Sequence, residues 1–129
     1  DKARCNLCHM GTNFSDEQFH NIGIGWEDSD TLDLGRYRVS KSEKDLGAFK
    51  TPTLREITKT APYMHDGRFA TLKDVIKHYN KGGIKNPFLD NQIIPLNLSD
   101  SEIDDLLEML RALEGEGWQH VKAPTEFPK

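Results

Sequence analysis

Apolar residues recur at helical spacing most clearly in the segment after Ser99. Ser99 and Glu102 stand three residues apart, in the arrangement of a capping box, and Gly115 provides a helix stop. Five apolar residues at helical spacing lie between them: Ile103, Leu106, Leu107, Leu110 and Leu113. The pattern predicts an amphipathic helix whose leucine-rich face packs in the core.

A second helix is predicted over residues 71–80. Thr71 and Asp74 have the order of a capping box, and Gly82 and Gly83 end the segment. The apolar face of this helix carries Leu72, Val75, Ile76 and Tyr79. Two shorter helices are expected over residues 3–9 and 52–59, the second because threonine is a good helix cap and proline is favoured at the first helical position.

The segment between residues 11 and 49 shows no sustained period of two or of 3.6 residues. Its polar, glycine-containing sequence predicts long loops that lie over a bound group. Residues 118–129 include two prolines and are expected to run over the surface as a tail. The pattern as a whole predicts an all-α fold with short helices and long loops.

Composition restricts the function classes. The 129 residues fit one domain spanning residues 1–129, and with 36% apolar and 29% charged residues its core is modest, so a large apolar ligand would add to it. The formal net charge of −4 does not suggest a nucleic-acid-binding protein, which carries clustered basic residues. No apolar run approaches the roughly 18 residues that a membrane span needs.

Cys5 and Cys8 are the only cysteines in the chain, and His9 follows directly. A disulfide between them would close only a very short loop, and a thioredoxin-like redox pair needs a preceding strand, for which there is no room. Tetrahedral zinc needs two further ligands. The remaining histidines do not fall at a paired spacing: His20, His65, His78 and His120.

Cys-x-x-Cys-His is the attachment signature of c-type haem, in which two thiols bond the haem and the histidine ligates the iron. We therefore predict one covalent haem c, held by Cys5 and Cys8, with His9 as proximal ligand. The fold expected around it is a class I cytochrome c-like domain. Haem c is attached outside the cytoplasm, so the periplasm or another extracytoplasmic compartment is expected.

The residue on the other side of the iron decides the chemistry. A methionine sulfur raises the reduction potential, a tyrosine oxygen favours Fe(III), and an open position admits peroxide. The candidates lie close together: Met64, His65, His78 and Tyr79. Met10 is too close to His9 to reach the opposite face, and Met109 lies in the leucine-rich helix, where we interpret it as core. On chemistry alone Met64 is the default.

The segment "GAFKTPTLREITKTAPYMHDGRFATLKDVIKHYNKGG", Gly47 to Gly83, closely resembles the carboxy-terminal haem domain of bacterial dihaem cytochrome c peroxidases and of MauG, a related tryptophan-modifying enzyme. The stretches "KARCNLCH", "HNIGIG" and "DLGRYRVSKSEKDLGAFKTPTLR" also look like that family. The resemblance covers nearly the whole chain.

This resemblance changes the expected distal ligand. In the methionine-ligated peroxidases the ligand lies fourteen residues after the histidine of "HDG", and the corresponding position here is Tyr79, as in the MauG-like branch. The resemblance thus implies Tyr79 as distal ligand, with Met64 as the alternative and a tyrosine hydroxyl bonded elsewhere still open. His65 is expected to bond a haem propionate or fix a loop, and His78 to lie on the surface.

The resemblance also implies further partners. Arg55 and Arg68 are candidates for pairing with haem propionates, with a solvated surface position as the alternative for each. The family holds a calcium ion between its two haem domains, and two of its ligands would be the backbone carbonyls of Thr60 and Pro62.

The resemblance implies an electron-transfer haem domain of an oxidoreductase that uses hydrogen peroxide. The peroxide-reactive haem and its acid–base glutamate belong to the amino-terminal domain in that family, so this chain alone is expected only to transfer electrons. Only four residues precede Cys5, and we expect a fragment that lacks this amino-terminal haem domain. The alternative is a free-standing monohaem cytochrome that acts only as an electron carrier, with another redox protein as partner.

Overall fold

The computed structural model describes residues 2–26 and 32–126. Two strands, β1 (Phe19–His20) and β2 (Phe49–Lys50), and three α-helices, α1 (Tyr37–Ser40), α2 (Leu72–Asn80) and α3 (Asp100–Arg111), are found in these residues. The described residues also form short 3₁₀ helices: Cys5–Leu7, Glu43–Asp45, Ile57–Lys59 and Trp118–His120.

The expected all-α fold is wrong, because β1 and β2 form a two-stranded antiparallel sheet. Phe19 pairs with Lys50 and His20 pairs with Phe49. Each strand is two residues long, so neither leaves an alternating apolar pattern that could be read from the sequence. The sheet pairs residues 19–20, inside the segment that was expected to be loop only, with residues 49–50 at its end, and α1 also lies within that segment.

Both predicted long helices are confirmed with their caps. The Thr71 hydroxyl accepts a hydrogen bond from the Asp74 amide at the start of α2. In α3, the Ser99 hydroxyl accepts from the Glu102 amide while the Glu102 carboxylate accepts from the Ser99 amide at 2.8 Å, which completes a capping box. These caps satisfy amides that the first helical turn leaves without partners.

The two shorter helices were predicted too long. Residues 5–7 form a single 3₁₀ turn, and His9 N–H then bonds the Cys5 carbonyl at 2.8 Å. Between residues 52 and 59 only Ile57–Lys59 is helical. Glu56 has a φ of 57°, a left-handed conformation that a continuous α-helix does not contain.

The apolar core lies between α2 and α3. Ile76 of α2 and Ile103 and Leu110 of α3 are buried there. Leucine and isoleucine side chains pack around them: Leu54, Ile57, Leu72, Leu98, Leu106, Leu107 and Leu113. The predicted core role of the leucine stripe is therefore confirmed.

The carboxyl end of α2 is fixed against residues 22–23. Gly83 has a φ of 68°, and a Cβ added there would lie 2.6 Å from the Ile22 carbonyl oxygen. Gly23 approaches Ile84 in the same way, with its added Cβ 2.4 Å from the Ile84 carbonyl oxygen. Only glycine permits backbones to approach this closely, so the two segments hold the last turn of α2 in place.

Residues 119–126 are exposed, in agreement with the predicted surface tail. Residues 127–129 of that tail, and residues 27–31 of the predicted loop, lie outside the described residues. Among the helices of the described ranges, none combines the length and apolar character that a bilayer crossing requires.

Candidate functional site

A cavity of about 410 Å³ adjoins the cysteine motif, a size within the range of roughly 300–1,000 Å³ found for small-molecule and cofactor sites. One wall is formed by Cys5, Cys8 and His9. Apolar side chains of α2 and α3 contribute much of the remaining lining, among them Leu72, Val75, Ile76, Leu106 and Leu110. The site is thus a concave apolar space with the three motif residues at its edge.

The hydrogen bond of His9 sets which of its nitrogens is available. His9 Nδ1 lies 2.9 Å from the Phe14 carbonyl oxygen. A carbonyl only accepts, so Nδ1 carries the proton and the Nε2 lone pair is left for a metal. The residues after the motif therefore orient the imidazole as a ligand before any metal is considered.

Both cysteines are free thiols and line the same cavity. Burial raises the pKa of the Cys8 thiol to about 11, and the carboxylates of Asp16 and Asp90 add to this effect. Burial also raises the pKa of Cys5. The structure therefore presents two protonated thiols at neutral pH, and both line the same cavity as His9.

Tyr79 projects from α2 into the cavity. Burial raises the pKa of its hydroxyl well above the ordinary value of a tyrosine. Among the described residues, no group forms a hydrogen bond with this hydroxyl. Met64 lines the same cavity. The structure thus brings both candidate distal ligands together with the cysteine motif.

His65 lines the cavity but already has partners. Its Nε2 lies 3.1 Å from Asp33 Oδ2, and its ring stacks on Phe49 with centroids 3.5 Å apart and an interplanar angle of 10°. The carboxylate and the aromatic ring together hold the imidazole against strand β2. The role of His65 in bonding a propionate or fixing a loop stays a prediction.

The structure does not bring Arg55 or Arg68 to the cavity lining. Arg55 donates to the Thr12 carbonyl, from Nε at 3.1 Å and also from Nη2. Its guanidinium lies 5.4 Å from the ring centroid of Phe14, the residue whose carbonyl holds His9. Arg68 bonds Asp66, with an Nη2–Oδ2 distance of 2.6 Å.

Two basic residues that were not singled out from the sequence do line the cavity, Arg4 and Lys50. Lys50 forms an ion pair with Glu17. Arg4 immediately precedes Cys5, so its position next to the motif was visible in the sequence. Lys50 could not be found from the sequence pattern, because its strand has only two residues.

The expected surface position of His78 is wrong. His78 is 8% exposed, and its Nε2 donates to the Ile22 carbonyl at 2.9 Å. Burial lowers its pKa, which agrees with a neutral ring in this position. Helix α2 is covered on this side by residues 22–23, which the sequence pattern did not place, so the helix is buried over a wider arc than its apolar residues indicated.

His20 forms a polar cluster with two carboxylates at the cavity wall. His20 Nδ1 lies 2.6 Å from Asp90 Oδ2, and its Nε2 lies 2.8 Å from Asp16 Oδ2. Cys8 Sγ, an Asp16 oxygen and a His20 nitrogen lie within 4.8 Å of one another. Since both ring nitrogens of His20 are bonded to carboxylates, the imidazole has no free lone pair for a metal.

Thr60 and Pro62, the candidate carbonyl ligands for calcium, are exposed and lie outside the cavity lining. The Thr60 hydroxyl donates to the Ile57 carbonyl at 3.0 Å. Neither the Thr60 nor the Pro62 carbonyl accepts a hydrogen bond from the described part of the chain. Both oxygens are therefore free to bind a cation or water.

These observations fit haem c. The donor set consists of two adjacent thiols, an imidazole with a free Nε2, and a tyrosine hydroxyl without a partner among the described residues. All of them face one apolar cavity. Apolar walls with a few convergent polar groups are what a porphyrin site requires.

Comparison with known proteins finds MauG proteins and cytochrome c peroxidases as relatives. The chain is 39% identical over 126 residues to the methylamine utilization protein MauG of Methylophilus methylotrophus, in a match that covers 96% of this chain and 36% of that protein. It is 35% identical over 140 residues to the cytochrome-c peroxidase IdrP1 of Denitromonas iodatirespirans, covering 87% of this chain and 37% of the peroxidase. No protein-family model matches the chain.

A solved structure is similar as well. A MauG-like protein associated with microbial copper homeostasis superposes with a TM-score of 0.81 at 32% identity, over 89% of this chain and 43% of that protein. The chain spans about a third of the length of the two curated relatives named above, so the whole activity of either relative does not carry over to it directly.

Proposed function

Because the chain belongs to the family of MauG and the bacterial cytochrome c peroxidases, we propose that it is an electron-transfer haem c domain of such an oxidoreductase and carries one covalent haem. The observation that carries the proposal is the shared cavity of Cys5, Cys8, His9 and Tyr79. A bound haem c supplies reversible one-electron exchange between Fe(III) and Fe(II).

The chain's own residues divide the work of holding this group. Cys5 and Cys8 are the attachment thiols, and His9 is the proximal ligand, with its ring oriented by the Phe14 carbonyl. Tyr79 is the distal ligand in this proposal. Burial holds its hydroxyl protonated in the free chain, and Tyr79 would release this proton on binding a metal cation, because the cation would stabilise the phenolate. Met64 is the alternative distal ligand.

A filled distal position limits what the domain can do. Peroxide cleavage needs an open iron position and a positioned acid–base group. In the proposal the open iron position and the acid–base group belong to a second haem domain outside this chain, with which this domain would exchange electrons. The carbonyls of Thr60 and Pro62 would bind a calcium ion at the boundary with that domain, because carbonyl oxygens are suitable ligands for this cation. We further propose an extracytoplasmic location, where haem c is attached.

Haem attachment in a periplasmic expression host tests the proposal. We expect one haem per chain by pyridine haemochrome analysis, resistant to extraction with acidified organic solvent, and none in the double variant Cys5→Ser/Cys8→Ser. The haem-loaded chain should exchange one electron with small redox mediators and turn over hydrogen peroxide no faster than free haem. Extractable haem, or peroxidase turnover by the chain alone, would contradict the proposal.

A further inference from the structure

The Asp16–His20–Asp90 cluster is a charged group at the cavity wall for which the proposed function gives no role. The His20 side chain is 14% exposed, and the side chains of Asp16 and Asp90 are 12% and 19% exposed. Three ionisable side chains are thus largely withdrawn from water. Such burial is costly unless the charges are paired, as these are.

The hydrogen bonds determine the charge of the cluster. Ionised carboxylate oxygens only accept, and both ring nitrogens of His20 lie within 2.8 Å of one. Both nitrogens therefore donate, and His20 is an imidazolium. Burial alone would lower the pKa of His20, but the bonds with Asp90 and Asp16 raise it. Two carboxylates and one imidazolium leave a net charge of −1.

This charge lies next to an attachment thiol. The Asp16 N–H bonds the Cys8 carbonyl at 2.8 Å, and an Asp16 carboxylate oxygen lies within 4.8 Å of Cys8 Sγ. His20 itself lines the cavity. Asp90 is held on the other side, where its N–H bonds the Asn21 carbonyl at 2.9 Å. Backbone hydrogen bonds therefore fix the positions of both carboxylate residues that pair with His20.

At another part of the cavity wall, Lys50 forms an ion pair with Glu17, and the two charges compensate each other. Arg4 also lines the cavity, and in the chain it directly precedes Cys5 and lies four residues before Cys8. The uncompensated negative charge near Cys8 is thus a local feature of the Asp16–His20–Asp90 cluster.

We propose that the Asp16–His20–Asp90 cluster lowers the reduction potential of the haem by placing a fixed negative charge beside its Cys8 attachment point. This inference rests on the proposed function, since it concerns the same haem. Reduction adds an electron to the iron centre, and a nearby negative charge in a site shielded from water opposes that addition. The three residues would act on the haem through their charge and not as ligands of its iron.

The test is a spectroelectrochemical titration of the full haem-loaded chain and its Asp90→Asn variant. We run it at about pH 5.5, one unit below the ordinary histidine pKa of about 6.5, so that His20 stays charged. Removing the carboxylate charge should shift the equilibrium about tenfold toward Fe(II), or about 59 mV for a one-electron couple. Asp16→Asn should give the same direction, and Asp90→Glu should restore the original midpoint.

Two further variants separate charge from disturbance of the fold. Asp104→Asn makes the same change in net charge at a side chain that is 62% exposed, where water and salt screen it, and should leave the midpoint in place. His20→Gln removes the cation and keeps both carboxylates, so its midpoint should not rise. A rise in His20→Gln equal to that in Asp90→Asn would show that loosening the site is enough, and would overturn the inference.

The remaining outcomes distinguish this inference from the proposed function. A chain without covalent haem would overturn both. A chain with covalent haem whose midpoint is the same in wild type, Asp90→Asn and Asp16→Asn would overturn the charge effect alone. Pyridine haemochrome analysis of each variant before titration decides which case applies.

Discussion

Replacing His78 with phenylalanine should destabilise the fold by about 1–3 kcal/mol, the usual cost of leaving a buried polar group without its partner. His78 Nε2 donates to the Ile22 carbonyl at 2.9 Å, and no second donor from the described residues reaches that oxygen. Phenylalanine keeps an aromatic ring near Phe69, whose centroid lies 5.6 Å away, so the change chiefly removes the hydrogen bond. Urea unfolding followed by far-ultraviolet circular dichroism measures the loss.

Because His78 lies on α2 next to Tyr79, His78→Phe should also affect the ferric spectrum of the haem-loaded chain. Tyr79 follows His78 directly, and the bond to Ile22 fixes this turn of the helix. The haem-loaded His78→Phe variant should therefore bind its distal ligand less firmly, seen as a larger high-spin fraction in the ferric absorption spectrum. His78→Gln, which can still donate to Ile22, should recover part of both losses.

The matched control is His120→Phe, because His120 is exposed and the same substitution there should change stability by no more than about 0.5 kcal/mol. If His78→Phe also stays within that margin, the hydrogen bond to Ile22 does not hold the end of α2, and the reasoning about this contact fails.

Three further changes test the helices that support the site. Leu110→Ala should cost about 2–5 kcal/mol in urea unfolding, because Leu110 is buried in the core. Ser99→Ala should cost about 1 kcal/mol in the same assay, because it removes the cap of α3. The hydrogen bond from Lys2, followed by that from the Ser99 amide, lowers the pKa of Glu102 from 4.5 to about 2. Ionised Glu102 therefore stabilises the fold above pH 4.5, and this stabilisation is lost as the pH falls toward 2. Between pH 4.5 and 2 the melting temperature of Glu102→Gln should fall less than that of the wild type.

The parts of the fold that could be predicted from sequence are those with local signals. Helix α3 combines a capping box with an apolar stripe, and α2 combines a threonine cap with a double glycine stop, so both were located correctly. The two-stranded sheet could not be found in this way, because β1 and β2 are each two residues long. Their pairing depends on contacts between residues far apart along the chain, such as His20 and Phe49, which leave no periodic pattern.

The candidate site shows the same division. Three of its residues could be predicted from the cysteine motif, because covalent haem attachment requires a fixed local spacing. Tyr79 could be predicted only from the family resemblance. The cluster of Asp16, His20 and Asp90 escaped notice since Asp90 is 70 residues from His20 along the chain. His78 was misplaced for a related reason: its burial comes from a distant segment that packs over α2.

The ferric spectrum of the haem-loaded chain, measured by electron paramagnetic resonance and optical absorption before and after Tyr79→Phe, tests the central claim most directly. Tyr79→Phe removes the phenol oxygen, so we expect the six-coordinate ferric signal to give way to a five-coordinate high-spin one, while Met64→Leu leaves the signal unchanged. An unchanged signal in Tyr79→Phe, or its loss in Met64→Leu, would contradict the account of how this chain holds its haem.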